Sequence, residues 1–532
     1  MKPGLLLLFA FVLTTTTPAR GAPVPEAARQ VLDTSMRAMG GRDLLESIRA
    51  VELHANAQRN LLEQSIRPEG PWIKDMYRLE ATLDFAGGRM RVVERRGGSL
   101  GWLAPPARPS PPVEYVVVDG IAAARDGDGG WRPYSQAAVQ DAGEVLALNP
   151  LRVLLTADAA DDLHVEVDVS RHGVAQHVLA WTWHGATVRL QVDANTGLPG
   201  VVAWIAPRPR DVFWNAWGDI DTRVSFENWS LRPNGLRFPT QWTWQRNGLP
   251  DRSLEIDMLA LDPALDDAAW RFPDELRTRL AQSPRDIDAI PLGLPQNPAT
   301  EIAPGIVKLP GRWDIAFVRQ DDGLVVIDAP IGSGYSSKVL EEAGRRFPGV
   351  PVKAVVSTSD AWPHIAGLRE YVARGIPIYV LDLNRPIVER LLAAPHTMAP
   401  DALQRNPREA ELRVVSKETT IGHGANRIEL VPLRSATGER QMLAWMPGPR
   451  LMYTSDLVQP MGDGAWYAPE MLLELRRRFS AGHYRPAHCF GMHYGMTKWD
   501  DMRKALDGYL APTSARSGDG GRGDQASAFQ GS

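Results

Sequence analysis

Residues 25–39 place Ala28, Val31, Leu32, Met36 and Met39 at intervals of three and four, the spacing of one helix face. Gly40 and Gly41 end that pattern. A second, shorter helix is expected over 44–48. From Val51 to about Leu261 the period changes. Short runs rich in β-branched and aromatic residues, such as 90–93, 114–118 and 178–183, alternate with Gly, Pro and Asp. Residues 193–197 (DANTG) separate two such runs. Residues 233–235 (PNG) lie between the runs 224–231 and 236–244, and Asn-Gly is a strong hairpin signal. The stretch 50–261 therefore predicts an antiparallel meander, with helical insertions at 140–148 and 151–156.

Residues 262–300 are rich in Pro, Asp and Ala and predict a linker. From Ile302 strand-like runs (315–318, 324–327, 352–356, 376–380) alternate with helical ones (336–347, 365–374, 387–392). That grammar predicts sheets covered by helices. After Thr513 no hydrophobic pattern remains, and a disordered tail is expected over 513–532.

Length changes the picture first: 532 residues exceed one ordinary core, so two domains are expected, 23–261 and 301–512. With 44% hydrophobic and 23% charged residues, the composition is that of a globular chain. A net charge of −4 and the lack of a basic stripe argue against nucleic acid as partner. Lys2, the apolar run 4–13 and the small residues around Ala19-Arg20-Gly21 predict an export signal over 1–22, cleaved near Gly21 or Ala22. That run is too short to span a bilayer, so no transmembrane segment is expected after cleavage. Cys489 is the single cysteine, which rules out an intramolecular disulfide. Export without disulfides suits a periplasmic or secreted protein.

Two resemblances follow from particular residues. The leading helices, the DANTGLP turn and the LRPNGLRFPTQW hairpin make residues 23–261 resemble the half-barrel domains of periplasmic lipoprotein carriers. That resemblance implies a sheet wrapped around a helix, able to hold an apolar ligand. The plainer reading of the same residues is a scaffold or docking domain.

Toward the C-terminus, the apolar run 324–327 closes on Asp328, and VVSTSDAWPHIAG (355–367) stands where the metallo-β-lactamase superfamily carries His-x-His-x-Asp-His. The strand, Thr358, His364 and Gly367 fit. Ser359, Ala361 and Pro363 occupy the positions of the two first His and the Asp. RLMYTSD (450–456) is similar to the strand that delivers the bridging Asp, here Asp456. GMHYG (491–495) supplies the final His, His493, with His488 as the weaker alternative. No His lies near Ser435 or Ala436, where the middle one belongs.

The fold expected is α+β: an antiparallel half-barrel-like β domain followed by an αββα metallo-β-lactamase-fold domain. The resemblance implies that the three-His metal site is lost. It also implies that a second site keeps His364, Asp456 and His493. Two imidazoles and one carboxylate suit one zinc, with iron or manganese as alternatives. A cation there would acidify water towards neutral pH, giving a hydrolase for a small-molecule ester, amide or phosphoester. Two alternatives stand beside it. One is a non-catalytic binding protein with an empty remnant of the site; the other is a carrier of an apolar ligand.

Other candidates have plainer readings. Asp360 reads as a solvated loop residue, and Pro363 as the start of a helix. Gly422-His423-Gly424 reads as a turn. Ser357, Ser359 and Ser435 lack an activating neighbour, and Cys489 reads as a buried thiol. His164, His172, His177 and His184 are irregularly spaced strand or surface residues.

Overall fold

The computed structural model describes residues 24–62, 70, 72–100, 111–125, 127–293, 297–434, 440–460 and 469–510. The expected export signal and C-terminal tail lie outside these residues, as do Ser435 and Ala436. No helix among the described residues is long and apolar enough to cross a membrane.

The N-terminal region is built on one antiparallel sheet of thirteen strands. From the edge strand Trp131–Pro133 it passes through Ile121–Arg125, Val113–Val118, Arg89–Leu100, Lys74–Asp84 and Ala50–Asn60. There it crosses to Leu249–Leu261. It continues through Arg237–Arg246, Asp219–Leu231, Pro199–Pro207, Ala186–Asp193 and Val174–Trp183 to His164–Arg171. The strands that come first and last along the chain thus pair at the sheet's centre, Val51 opposite Leu261. Both hairpin signals form turns where expected. At the second, Gly235 has φ 87° and Arg232 N–H donates to Leu236 O (2.8 Å).

Alternation puts Leu53, Ala55 and Ala57, with Leu254 and Ile256 beside them, on one face. Helices Glu26–Met39, Ala137–Leu148 and Val153–Asp158 cover that face with Ala28, Leu32, Met36, Ala142 and Leu154. The segment expected as a linker is partly folded. Its helix Asp274–Ala281 sets Leu276 and Leu280, with Trp270 and Phe272, against Val116, Ile121 and Ala123.

A pair of stacked sheets forms the C-terminal region. The first has the order Thr300–Ala303, Ile306–Leu309, Ile315–Gln320, Gly323–Ile327, Val352–Ser357, Ile378–Leu381, Leu412–Val415. Its last four strands are mutually parallel. Strands buried on both faces need continuous apolar runs, and all five residues of Gly323–Ile327 are buried. Val326 and Val355 face helices Ser333–Arg346 and Arg385–Ala393. Val325, Ile327 and Val356 face the second sheet. A slip of one residue would exchange those two sets, so both layers fix the register.

The second sheet runs Thr419–Ile421, Ile428–Leu433, Gln441–Met446, Leu451–Tyr453, His488–Gly491, Tyr494–Lys498. Its inner face contributes Leu430, Met442 and Ala444 to the core between the sheets. Its outer face packs Leu443, Trp445 and Met452 against helices Pro469–Ala481 and Trp499–Leu510. The layers therefore succeed one another as helix, sheet, sheet, helix, the αββα arrangement expected from the sequence.

Candidate functional site

The site begins where the strand Gly323–Ile327 ends. Asp328 has φ 68°, a conformation Asp tolerates better than most residues, and its N–H donates to Val356 O (2.8 Å). Its carboxylate is fully buried and well partnered. Thr358 N–H donates to Oδ1 (2.9 Å), Thr358 Oγ1 lies 2.9 Å from both oxygens, and the Tyr453 hydroxyl donates to Oδ2. Oδ2 also stands 2.9 Å from His364 Nδ1.

His364 sits on the single-turn helix Trp362–Ile365, with Pro363 in the first turn as expected. Its N–H closes that turn on Ala361 O (2.9 Å). The ring is completely buried. Its Nε2 has no hydrogen-bond partner and faces Asp456 Oδ2 at 3.5 Å. Asp456 follows the strand Leu451–Tyr453 after Ser455, whose φ of 53° turns the chain. Ser455 Oγ is 2.8 Å from Thr358 Oγ1, tying the two sheets together. The other oxygen of Asp456, Oδ1, lies 2.6 Å from His493 Nε2. His493 occupies the turn between His488–Gly491 and Tyr494–Lys498, held from behind by Asp314 N–H donating to Met492 O (3.0 Å).

The result is a chain of alternating acid and base, Asp328, His364, Asp456, His493. It runs from the fully buried Asp328 to side chains 15% exposed at Asp456 and His493. Burial opposes charge on His364, but Asp328 and Asp456 outweigh it and push the imidazole up to about 10. Burial works against the Asp456 carboxylate as well; His364 and His493 reverse this and hold it far below the usual carboxylate range. Burial, reinforced by Asp328, raises the Tyr453 phenol well above its ordinary value.

Sequence reasoning singled out His364, Asp456 and His493, and the structure brings all three together. It missed the roles of Asp328, Thr358, Tyr453 and Ser455. The only signal for Asp328 was an apolar run closing on an acid. Asp360 departs from expectation: its side chain is only 7% exposed and lies 3.6 Å from Arg440. Ser357 Oγ donates to Ser359 O, and Ser359 Oγ accepts from Ala361 N–H, so both hydroxyls brace the loop. Gly422-His423-Gly424 is a turn, with both glycines at positive φ. Cys489 is buried, and burial pushes its thiol up. His164, His172 and His184 are exposed, while His177 pairs with Asp168. His488 opens the strand whose far end leads to His493.

Does this centre suit a metal? Among the described residues, no group of three or more His, Cys, Asp or Glu side chains is arranged to hold an ion. The two imidazoles address different oxygens of Asp456. His364 and Asp456 nevertheless have the chemistry of ligands. Two ligands bonded to one zinc at about 2.0–2.2 Å stand roughly 3.3 Å apart. The observed 3.5 Å between Nε2 and Oδ2 is close to that. A ligating imidazole also donates its other N–H to a carboxylate, the role Asp328 is placed to play. The third donor, His493 Nε2, is hydrogen-bonded to Asp456 instead.

No protein-family model matches the chain, and no curated protein matches it in sequence. Solved structures do resemble it. A metallo-β-lactamase from Pontibacter korlensis is 14% identical, over 39% of this chain and 98% of that one, with a TM-score of 0.30. The inverting sec-alkylsulfatase Pisa1 from Pseudomonas sp. is 16% identical, over 40% of each chain, with a TM-score of 0.31. The metallo-β-lactamase FIM-1 from Pseudomonas aeruginosa, in its mono-zinc form, is 12% identical over 42% of this chain and 99% of that one, with a TM-score of 0.30. The likeness is distant and reaches about two-fifths of this chain.

Proposed function

We propose that this chain is an exported hydrolase-type protein of metallo-β-lactamase fold whose centre takes a single cation, with His364, Asp456 and His493 as its ligands. One observation carries the reading: a buried imidazole nitrogen, His364 Nε2, makes no hydrogen bond and meets Asp456 Oδ2 only at 3.5 Å, while the other nitrogen is braced by a carboxylate. A cation between His364 Nε2 and the Asp456 carboxylate would satisfy both groups. A cation bound there supplies Lewis acidity for cleaving a small-molecule ester, amide or phosphoester. The chain's own residues do the positioning. With a cation bound, Asp328 would hold His364 in the tautomer that leaves Nε2 free to ligate it. Thr358 and Tyr453 hold Asp328 in turn, and Asp314 steadies the turn of His493 through its main chain.

The test is elemental analysis of mature protein purified without a His tag, for zinc, iron and manganese. About one equivalent is expected, abolished by His364→Ala and by Asp456→Ala. Metal at background after reconstitution with each of the three ions would overturn the reading.

A further inference from the structure

The helix-bearing face of the large sheet changes character at one end. On strand Lys74–Asp84 the alternation that buries Leu79, Ala81 and Leu83 continues outward to Tyr77 and Asp75. On Arg89–Leu100 it passes from Met90 and Val92 to Glu94, and on Leu249–Leu261 from Ile256 and Leu254 to Arg252. These polar ends surround a cavity of about 250 Å³, closed on other sides by the first turn of helix Ala137–Leu148 and by residues 211–214. One water needs only about 10–15 Å³, so the space holds a small molecule.

Most charges in its wall are matched with one another. Asp141 pairs with Arg208 and Arg246, Asp251 with Arg246, and Asp75 with Arg59. Arg252 is different. Its guanidinium stacks over Trp244 at 4.5 Å, yet it makes no hydrogen bond and no ion pair with any described residue, and its Nε is buried. Glu94 likewise has no ion pair among the described residues. Tyr115 and Tyr134 stack at 4.2 Å between ring centres. Their hydroxyls and that of Tyr77 have no partner among the described residues. Burial raises all three phenols, which keeps them as donors.

The carboxylates of Asp141 and Asp251 act on Arg252 from a distance, but neither accepts a hydrogen bond from it, and a guanidinium whose buried Nε lacks an acceptor is costly. An apolar ligand would leave Arg252, Glu94 and the three hydroxyls unanswered. We infer that this cavity binds a small, flat organic carboxylate carrying its own hydroxyl donor. Its carboxylate meets Arg252 and the tyrosine hydroxyls, its ring lies against the stacked tyrosines, and its hydroxyl donates to Glu94. The site is separate from the His364 centre.

Calorimetric titration of the mature full-length chain with 4-hydroxybenzoate tests this, with 4-hydroxybenzyl alcohol as the uncharged counterpart. Saturable one-to-one binding of the acid is expected, with affinity at least tenfold weaker for the alcohol and for Arg252→Gln. Circular dichroism checks that the variant folds. Should Arg252→Gln not fold, Tyr77→Phe reads the same site and is expected to weaken binding at least threefold. No saturable heat with wild-type protein at millimolar acid overturns the inference. So does equal affinity for acid and alcohol, or affinity unchanged in the folded variant.

Discussion

His364 and Asp456 follow strands of different sheets, yet Nε2 of one faces Oδ2 of the other at 3.5 Å. The seam between the sheets is therefore where the polar centre forms. A hydrophobic interior surrounds it, with Ile327, Val356 and Tyr453 in the core between the sheets. Electrostatic interactions there are strong because water is excluded.

Asp328→Asn removes the charge behind His364. If the imidazole is a ligand, metal affinity is expected to fall about 10- to 100-fold, as for other carboxylates behind ligating His. Competition with a chromogenic chelator measures it. Unchanged affinity would remove Asp328 from the centre.

Tyr453→Phe deletes one hydrogen bond to a buried carboxylate. A loss of about 1.5–3 kcal/mol is expected, since bonds to charged groups exceed neutral ones. Urea unfolding of the wild type and variant checks it, and a change below about 0.5 kcal/mol contradicts it.

The metal-free protein has a defined pH response. His364 is raised from 6.5 to about 10, so its contribution is complete below about pH 6.5 and fades as pH rises through 10. Asp456 is lowered from 3.8, so its contribution is complete above about pH 4 and fades only in acid. Stability from this pair should decline between about pH 7 and 10. His364→Gln should flatten that decline in urea midpoints measured across the range, and an unaltered alkaline slope would refute the assignment.

Gly367 fits because it has no side chain. A Cβ there would stand 2.8 Å from Gly332 O and collide with the Ser336 hydroxyl. Gly367→Ala is expected to cost about 1–3 kcal/mol through overpacking, read from thermal unfolding. Full stability in the variant would show that this helix packing yields easily.

Cys489 is fully buried, so the native thiol should resist a disulfide reagent and react once urea unfolds the chain. Rapid reaction without denaturant would place it at the surface.

Much of the architecture was legible along the chain. The three-and-four spacing of Ala28, Leu32 and Met36 gave the first helix, and Asn234-Gly235 gave its hairpin, because both are local. The continuous run 324–327 announced a strand buried on both faces. The linker expectation for 262–300 missed a helix whose Leu276 and Leu280 are stabilised by a distant strand, a contact that local composition does not encode.

His364, Asp456 and His493 could be named from sequence because each lies within a short motif that follows a strand. What tertiary structure alone decided was their pairing. Asp328 braces one nitrogen of His364, and the two imidazoles divide the oxygens of Asp456 between them. Local sequence sets helices, strands and turns through periodicity and backbone preference. Distances between groups on separate sheets depend on how two apolar faces stack, and that is settled only when the whole core closes.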